Sequence, residues 1–198
     1  MESEEKRGRG RVRDESLRDT ILNAAAGLLL EVGYRKFTID GVAARSGASK
    51  VTIYRWSPTK GVLALAAFTH RIVGRLAFPE TGSPRDDVVA QVRQLITMLT
   101  TTPEGSVLRE LIGAAQEDPL LKTQLTEVYI EPRRAIAAQG FARWLGWDPG
   151  RDRATLYAIQ DQIYGAIYNR LLFGLEPLEP AFADELVAFW DANPRARP

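Results

Sequence analysis

Apolar positions recur along this chain at helical spacing almost from end to end. Leu17, Ile21, Ala24, Leu28 and Val32 predict a first helix over roughly 14–32, which Gly33 ends. Thr38 carries a hydroxyl that can N-cap a second helix, in which Ile39, Val42 and Ala43 follow at i, i+3, i+4. Gly47 stands where the chain must leave that helix through a left-handed residue. Ser49 supplies the next cap, and Lys50 to Trp56 form a third short helix. A fourth begins after Pro58-Thr59 and carries Val62, Leu63, Leu65, Ala66 and Phe68.

Phe78 to Pro84 is the one clear linker. Beyond it prolines mark helix starts, a position that needs no N–H donor. Val88, Val89, Val92, Leu95, Ile96 and Leu99 give one helix, and Thr102-Pro103 opens another through Ala115. Asp118-Pro119 opens one running towards Leu145, which Pro132 should kink. Asp148-Pro149 begins a long helix to about Phe173, and Glu179-Pro180 begins the last, to Trp190. No period-two alternation long enough for a strand occurs, so an all-α fold is expected. Its expected organisation is an N-terminal segment at 1–13, a three-helix domain with a fourth helix over 14–77, and a larger helical domain over 85–193.

The third helix has a polarity that suggests chemistry. At about 100° per residue, Lys50, Val51, Tyr54 and Arg55 share an arc of roughly 140°, with Thr52 at its border. Ile53 and Trp56 point away and can anchor the helix. Lys and Arg can donate to guanine edges or phosphates, and Thr and Val can touch a thymine methyl. Two short helices about a glycine turn with this polarity fit a helix-turn-helix. The same spacing also suits an ordinary αα-hairpin with a solvated charged face.

Ile53-Tyr54-Arg55-Trp56-Ser57-Pro58-Thr59-Lys60, with Gly47-Ala48-Ser49-Lys50 upstream, resembles the DNA-binding segment of the TetR family of bacterial repressors. The resemblance covers roughly residues 17–65. Two positions depart from the family pattern: Ser57 stands where an aromatic is common, and Gly61 where Glu or Asp often opens the next helix. The resemblance implies a DNA-binding transcriptional regulator, a repressor released from its operator by a small molecule. It implies DNA contacts among Thr38, Ser49, Lys50, Val51, Thr52, Tyr54, Arg55 and Lys60, with Lys60 matching the family lysine that meets a phosphate. A branch of the same family offers the alternative, a DNA-bound interaction protein that recruits another protein.

Composition narrows the rest. The chain has 198 residues, 45% of them apolar, and no cysteine, which excludes disulfides and thiolate chemistry. The single histidine, His70, removes most His-based metal and triad chemistry. Asp118, Asp148, Asp152 and Asp161 could be assembled into a carboxylate site, but three lie near helix starts, where anions complement the dipole. No nucleophile–base pair or metal spacing appears, so neither catalysis nor a cofactor is expected. The N-terminus opens with charges and no apolar run approaches membrane-spanning length, so a soluble cytoplasmic protein is expected. Residues 1–60 hold 12 Lys and Arg against 8 Asp and Glu, whereas 61–198 hold 14 against 17. The positive part coincides with the candidate reader, as phosphate neutralisation requires. Lys6 to Arg13 place five cations among glycines, either a solubilising tail or an arm following phosphates.

The C-terminal half reads as an assembly and ligand module. In the helix ending at Phe173, Leu156, Ile159, Ile163 and Ile167 make one stripe, and Tyr157, Tyr164, Tyr168 and Leu171 another. Two stripes suggest packing inward and against a partner, with Gly165 and Ala166 permitting close approach. The last helix adds Phe182, Leu186 and Phe189. The family resemblance implies that the last two helices form a homodimer, which would set two readers on a pseudo-palindromic operator. Tyr129, Phe141, Trp144, Trp147 and Tyr157 are candidates to line a pocket for a largely apolar small molecule, although each could simply fill the core.

Overall fold

The computed structural model describes residues 2–72 and 78–192, with side chains described over 14–71 and 78–192. Gly33, at φ 74° and ψ 167°, interrupts the first helix, α1 (Glu2–Lys36), where the sequence places its end. Then follow α2 (Ile39–Ser46), α3 (Lys50–Trp56), α4 (Lys60–Ile72), α5 (Pro84–Thr101), α6 (Pro103–Ala115) and α7 (Pro119–Gln124). A π-helical segment (Leu125–Ile130) leads into α8 (Glu131–Leu145), followed by α9 (Arg153–Phe173) and α10 (Phe182–Asp191). Among the described residues there is no strand, and no helix is long and apolar enough to cross a membrane.

The chain divides into two compact units. One holds Met1–Val73 together with Glu110–Leu125; the other holds Gly74–Arg109 together with Thr126–Pro198. The sequence suggested a contiguous reader, and the return of 110–125 to it has a visible cause. A Cβ added at Gly61 would lie 3.0 Å from Leu121, 3.3 Å from the Tyr34 hydroxyl and 3.4 Å from an Asp118 oxygen. Glycine at 61 therefore makes room for α7, and an acidic residue there would also face Asp118. Glu110 accepts a hydrogen bond from the Arg35 backbone N–H at 3.1 Å, satisfying a donor that the break at Gly33 leaves free.

The first unit is filled by Ile21, Leu22, Ala25, Ala26 and Leu29 of α1, Phe37, Val42, Ile53, and Leu63, Ala64, Ala67 and Phe68 of α4. This face of α1 is rotated from the expected one: Leu17 stays exposed and Ala24 and Leu28 are only half-buried. The run of alanines and leucines offers two stripes, and the chosen one places Ala25 and Ala26, small enough for close helix packing, in the interior.

In the second unit every expected apolar position of α5 is buried, from Val88 to Leu99. They join Val107 and Leu108, Ala137, Phe141, Ala142 and Leu145 of α8, Leu156, Ile159, Ile163 and Ile167 of α9, and Val187 of α10. Asp191 at the end of α10 receives Arg85 and also the Trp144 indole N–H at 3.1 Å, while Arg93 meets Asp184 at 2.6 Å. Pro132 is where the helical regularity fails, as expected, but the disturbance is a π turn rather than a simple kink. Proline lacks an N–H and its ring crowds the carbonyl four residues back, so the wider turn just ahead of it relieves both problems.

Candidate nucleic-acid interface

Local chemistry builds the reader. The Thr38 hydroxyl accepts from the Gly41 N–H at 3.0 Å and caps α2. Gly47 closes that helix at φ 71°, its N–H returning to the Ala43 carbonyl at 3.0 Å. The Ser49 hydroxyl accepts from the Thr52 N–H at 3.2 Å and also pairs with the Thr52 hydroxyl at 2.9 Å. Thr38, Ser49 and Thr52 thus hold the two helices in shape.

Burial sorts α3 into two sides. Ile53 is fully buried and Trp56 half-buried, while Lys50, Val51, Tyr54 and Arg55 are exposed, Val51 at 81%. Ser57, which departs from the family pattern, is buried, and its N–H closes α3 on the Ile53 carbonyl at 2.9 Å. A seven-residue helix thereby presents two cations, a phenol and a branched methyl pair on one exposed arc.

The reader's cations are not idle. Lys50 pairs with Asp40, whose hydrogen bond and charge raise the Lys50 pKa. Arg55 meets Asp14 at 3.0 Å and lies 5.2 Å from the centre of the Trp56 ring. Arg45 holds Glu31 at 2.7 Å. Lys60 donates to the Arg35 carbonyl at 3.2 Å and sits 4.6 Å from the Tyr34 ring centre, tied to the end of α1. Sequence reasoning passed over Asp14 and Asp40, because a carboxylate near a DNA reader has no periodic signature. His70 pairs with Asn23 at 3.2 Å on the surface. The cations of residues 6–13 lie outside the described side chains.

The candidate pocket residues take different surroundings. Phe141 is fully buried, 5.8 Å from Trp144 and 6.1 Å from Tyr164 between ring centres. Trp144 commits its N–H to Asp191, and Trp147 is half-buried just past the end of α8. Tyr157 lies between the guanidinium groups of Arg134 and Arg153, at 4.4 and 5.1 Å. Tyr129 is buried under Arg133, at 4.7 Å, and burial pushes its hydroxyl pKa up.

The candidate partner face is corrected in part. Ile159, Ile163 and Ile167 are buried within the unit and cannot meet a second chain, because the inward stripe of α9 is the isoleucine one. Gly165 is exposed, and a Cβ added there would meet nothing within 4 Å. Ala166, Phe182 and Leu186 are half-buried, and Phe189 is 66% exposed. With Ala158, Gln162, Asn169 and Leu172, Gly165 forms the open side of α9.

Two family models match the chain. Residues 21–67 match the model of bacterial regulatory proteins of the tetR family, and residues 78–189 match that of the tetracyclin repressor-like C-terminal domain. The chain is 36% identical over 179 residues to the uncharacterized HTH-type transcriptional regulator YdeS of Bacillus subtilis, covering 90% of each protein. It is similar to the crystal structure of the TetR family transcription regulator SCO0332, with TM-score 0.75 and 42% identity over 87% of this chain and 94% of that one. The fold also matches FadR of Bacillus subtilis in complex with stearoyl-CoA, with TM-score 0.57 and 13% identity over 87% and 96%. The protein is a DNA-binding transcriptional regulator, and the chain belongs to the TetR family.

Proposed function

We propose that this regulator is a homodimeric repressor that reads a pseudo-palindromic operator and leaves it when a small molecule binds the C-terminal domain. The observation that carries the reading is the exposed arc of α3, with Lys50, Val51, Tyr54 and Arg55 outward over a buried Ile53. Such a helix, capped by Ser49 and held by α2, has the dimensions and donors for a major groove. Lys60 would then exchange the Arg35 carbonyl for a phosphate. Dimerisation is supported by the open side of α9, where Ala158 and Gly165 permit close approach, and by exposed Phe189 on α10. FadR has the fold in complex with an acyl-CoA, which supports release by a ligand here. Action on chromosomal DNA supports a cytoplasmic location.

The test recovers bound genomic fragments, defines the operator and measures affinity by fluorescence anisotropy. Arg55→Ala and Tyr54→Ala should each cost on the order of 1–3 kcal/mol where a base contact is lost, with the fold intact. Unchanged affinity in the double variant would refute the groove assignment. The competing reading, a DNA-bound protein that recruits another, draws on exposed Val128 and Ile136 of the second unit. Linkage separates the two: a releasing ligand must bind more weakly when operator is present, by the same factor by which it weakens operator binding.

A further inference from the structure

The interior of the second unit holds more polar chemistry than packing requires. Gln160, Tyr164 and Tyr168 follow one another at i+4 spacing on α9 and so share a face. The Tyr164 hydroxyl donates to Gln91 Oε1 of α5 at 2.8 Å, and the Tyr168 hydroxyl faces that of Tyr129 on the π-helical segment. Both α9 rings keep part of their surface open while their hydroxyls lie deep. Burial pushes the pKa of each far up, so both stay neutral and remain hydrogen-bond donors.

Two groups in this cluster lack the partners their chemistry calls for. Arg133 is half-buried, stacks 4.7 Å from the Tyr129 ring centre, and its charge acts on the hydroxyls of Tyr129, Tyr164 and Tyr168. Among the described residues it forms no ion pair, whereas its neighbour Arg134 meets Asp161 at 2.6 Å. Gln160 is fully buried; its amide N–H donates to the Arg134 carbonyl at 3.3 Å, which fixes the amide orientation and leaves Oε1 without a partner. The half-buried cation lacks a counter-ion, and a buried acceptor without a donor is unfavourable. Both are relieved by one molecule bearing an anion and a hydrogen-bond donor. The π turn that carries Tyr129 is the kind of helical irregularity that accompanies functional sites.

We infer that this cluster recognises a small organic acid. Its carboxylate seats at Arg133 beside the tyrosine hydroxyls, a hydroxyl or amide N–H donates to Gln160 Oε1, and its apolar body lies along Phe141. The inference rests on the ligand-released reading above and names the ligand class. It also explains a polar interior in a domain expected to take an apolar molecule.

The test uses the full-length protein and three pairs of probes: benzoate, salicylate and hexanoate against benzamide, salicylamide and hexanamide. Thermal shift at ~10 mM detects binding, since a ligand held only by the folded state raises Tm, and calorimetry then gives affinities. At least one acid should bind at least roughly tenfold more tightly than its amide, a factor that loss of one charge-assisted contact supplies. Arg133→Met should abolish that preference, and Arg133→Lys, which keeps the charge, should retain part of it. Gln160→Leu should weaken salicylate relative to benzoate. Acids and amides binding alike, acid affinity unchanged in folded Arg133→Met, or no acid raising Tm would each overturn the inference. An acid that binds through Arg133 yet leaves operator affinity unchanged would support the site while refuting ligand-driven release. A protein that binds operator normally and takes no acid would refute the site alone.

Discussion

Replacing Asp14 with Asn should tighten binding to DNA. In the free protein the Arg55 guanidinium is 3.0 Å from Asp14, so a groove contact made by Arg55 must first break that pair. Asn keeps the size and one acceptor oxygen but removes the charge. The two side chains are 60% and 55% exposed, so water screens their attraction, and a single N–H···O contact of this kind is worth about 0.2–1 kcal/mol. Removing that competition should strengthen operator binding by roughly 1.4- to 5-fold. Relief of repulsion between Asp14 and phosphates acts in the same direction and grows as salt falls, because screening extends only ~8 Å at physiological ionic strength. The measurement is anisotropy of a labelled operator duplex with wild type and Asp14→Asn across a series of salt concentrations. Equal or weaker binding by a folded variant would refute the reasoning and make Asp14 a residue that positions Arg55.

The remaining expectations concern stability and assembly. Gly105→Ala should destabilise the second unit by about 3 kcal/mol, measured by urea unfolding, because its Cβ would lie 2.4 Å from the Met98 carbonyl and 2.5 Å from that of Leu99. Backbone oxygens at the end of α5 cannot rotate away as a side chain would, and an unchanged midpoint would contradict the close approach. Gly165→Trp should give a folded monomer in sedimentation, since the site is open in the protomer. Ile163→Asp should instead unfold the chain, as a buried unpaired charge costs several kcal/mol, and a folded monomer from it would place Ile163 at the surface.

The reader was legible because its signals are local. Thr38, Gly47 and Ser49 act on backbone groups within three or four residues, and the alternation of Ile53 with its charged neighbours fixes which side of α3 is buried. What escaped was non-local. Nothing in the periodicity of 110–125 says that Glu110 will accept the Arg35 N–H or that Leu121 will lie in the space left at Gly61. The double stripe of α9 showed that two sides were apolar but not which would face inward. The isoleucines went in because their branched chains fill the interior, and Tyr164 turned its hydroxyl towards Gln91, a partner 73 residues away. The proline at 132 located a disturbance, yet its form depended on how a longer turn could satisfy the carbonyls ahead of it.

That π turn bears on how this chain is compared with its kin. An α-helix bonds each N–H to the carbonyl four residues back, and a π-helix to the fifth, so the wider turn holds one residue that an unbroken α-helix would not need. Pro132, with no N–H to offer, prevents the register from being restored from the downstream side. A relative that aligns across 119–145 with a single-residue gap inside 125–130 would run through in α-helical register. The residue matching Tyr129 would then swing by about 100° around the helix axis, taking its hydroxyl away from Tyr168. A gap of one residue at that place would thus separate family members that hold this phenol in their interior from those that do not, even where flanking sequences look the same.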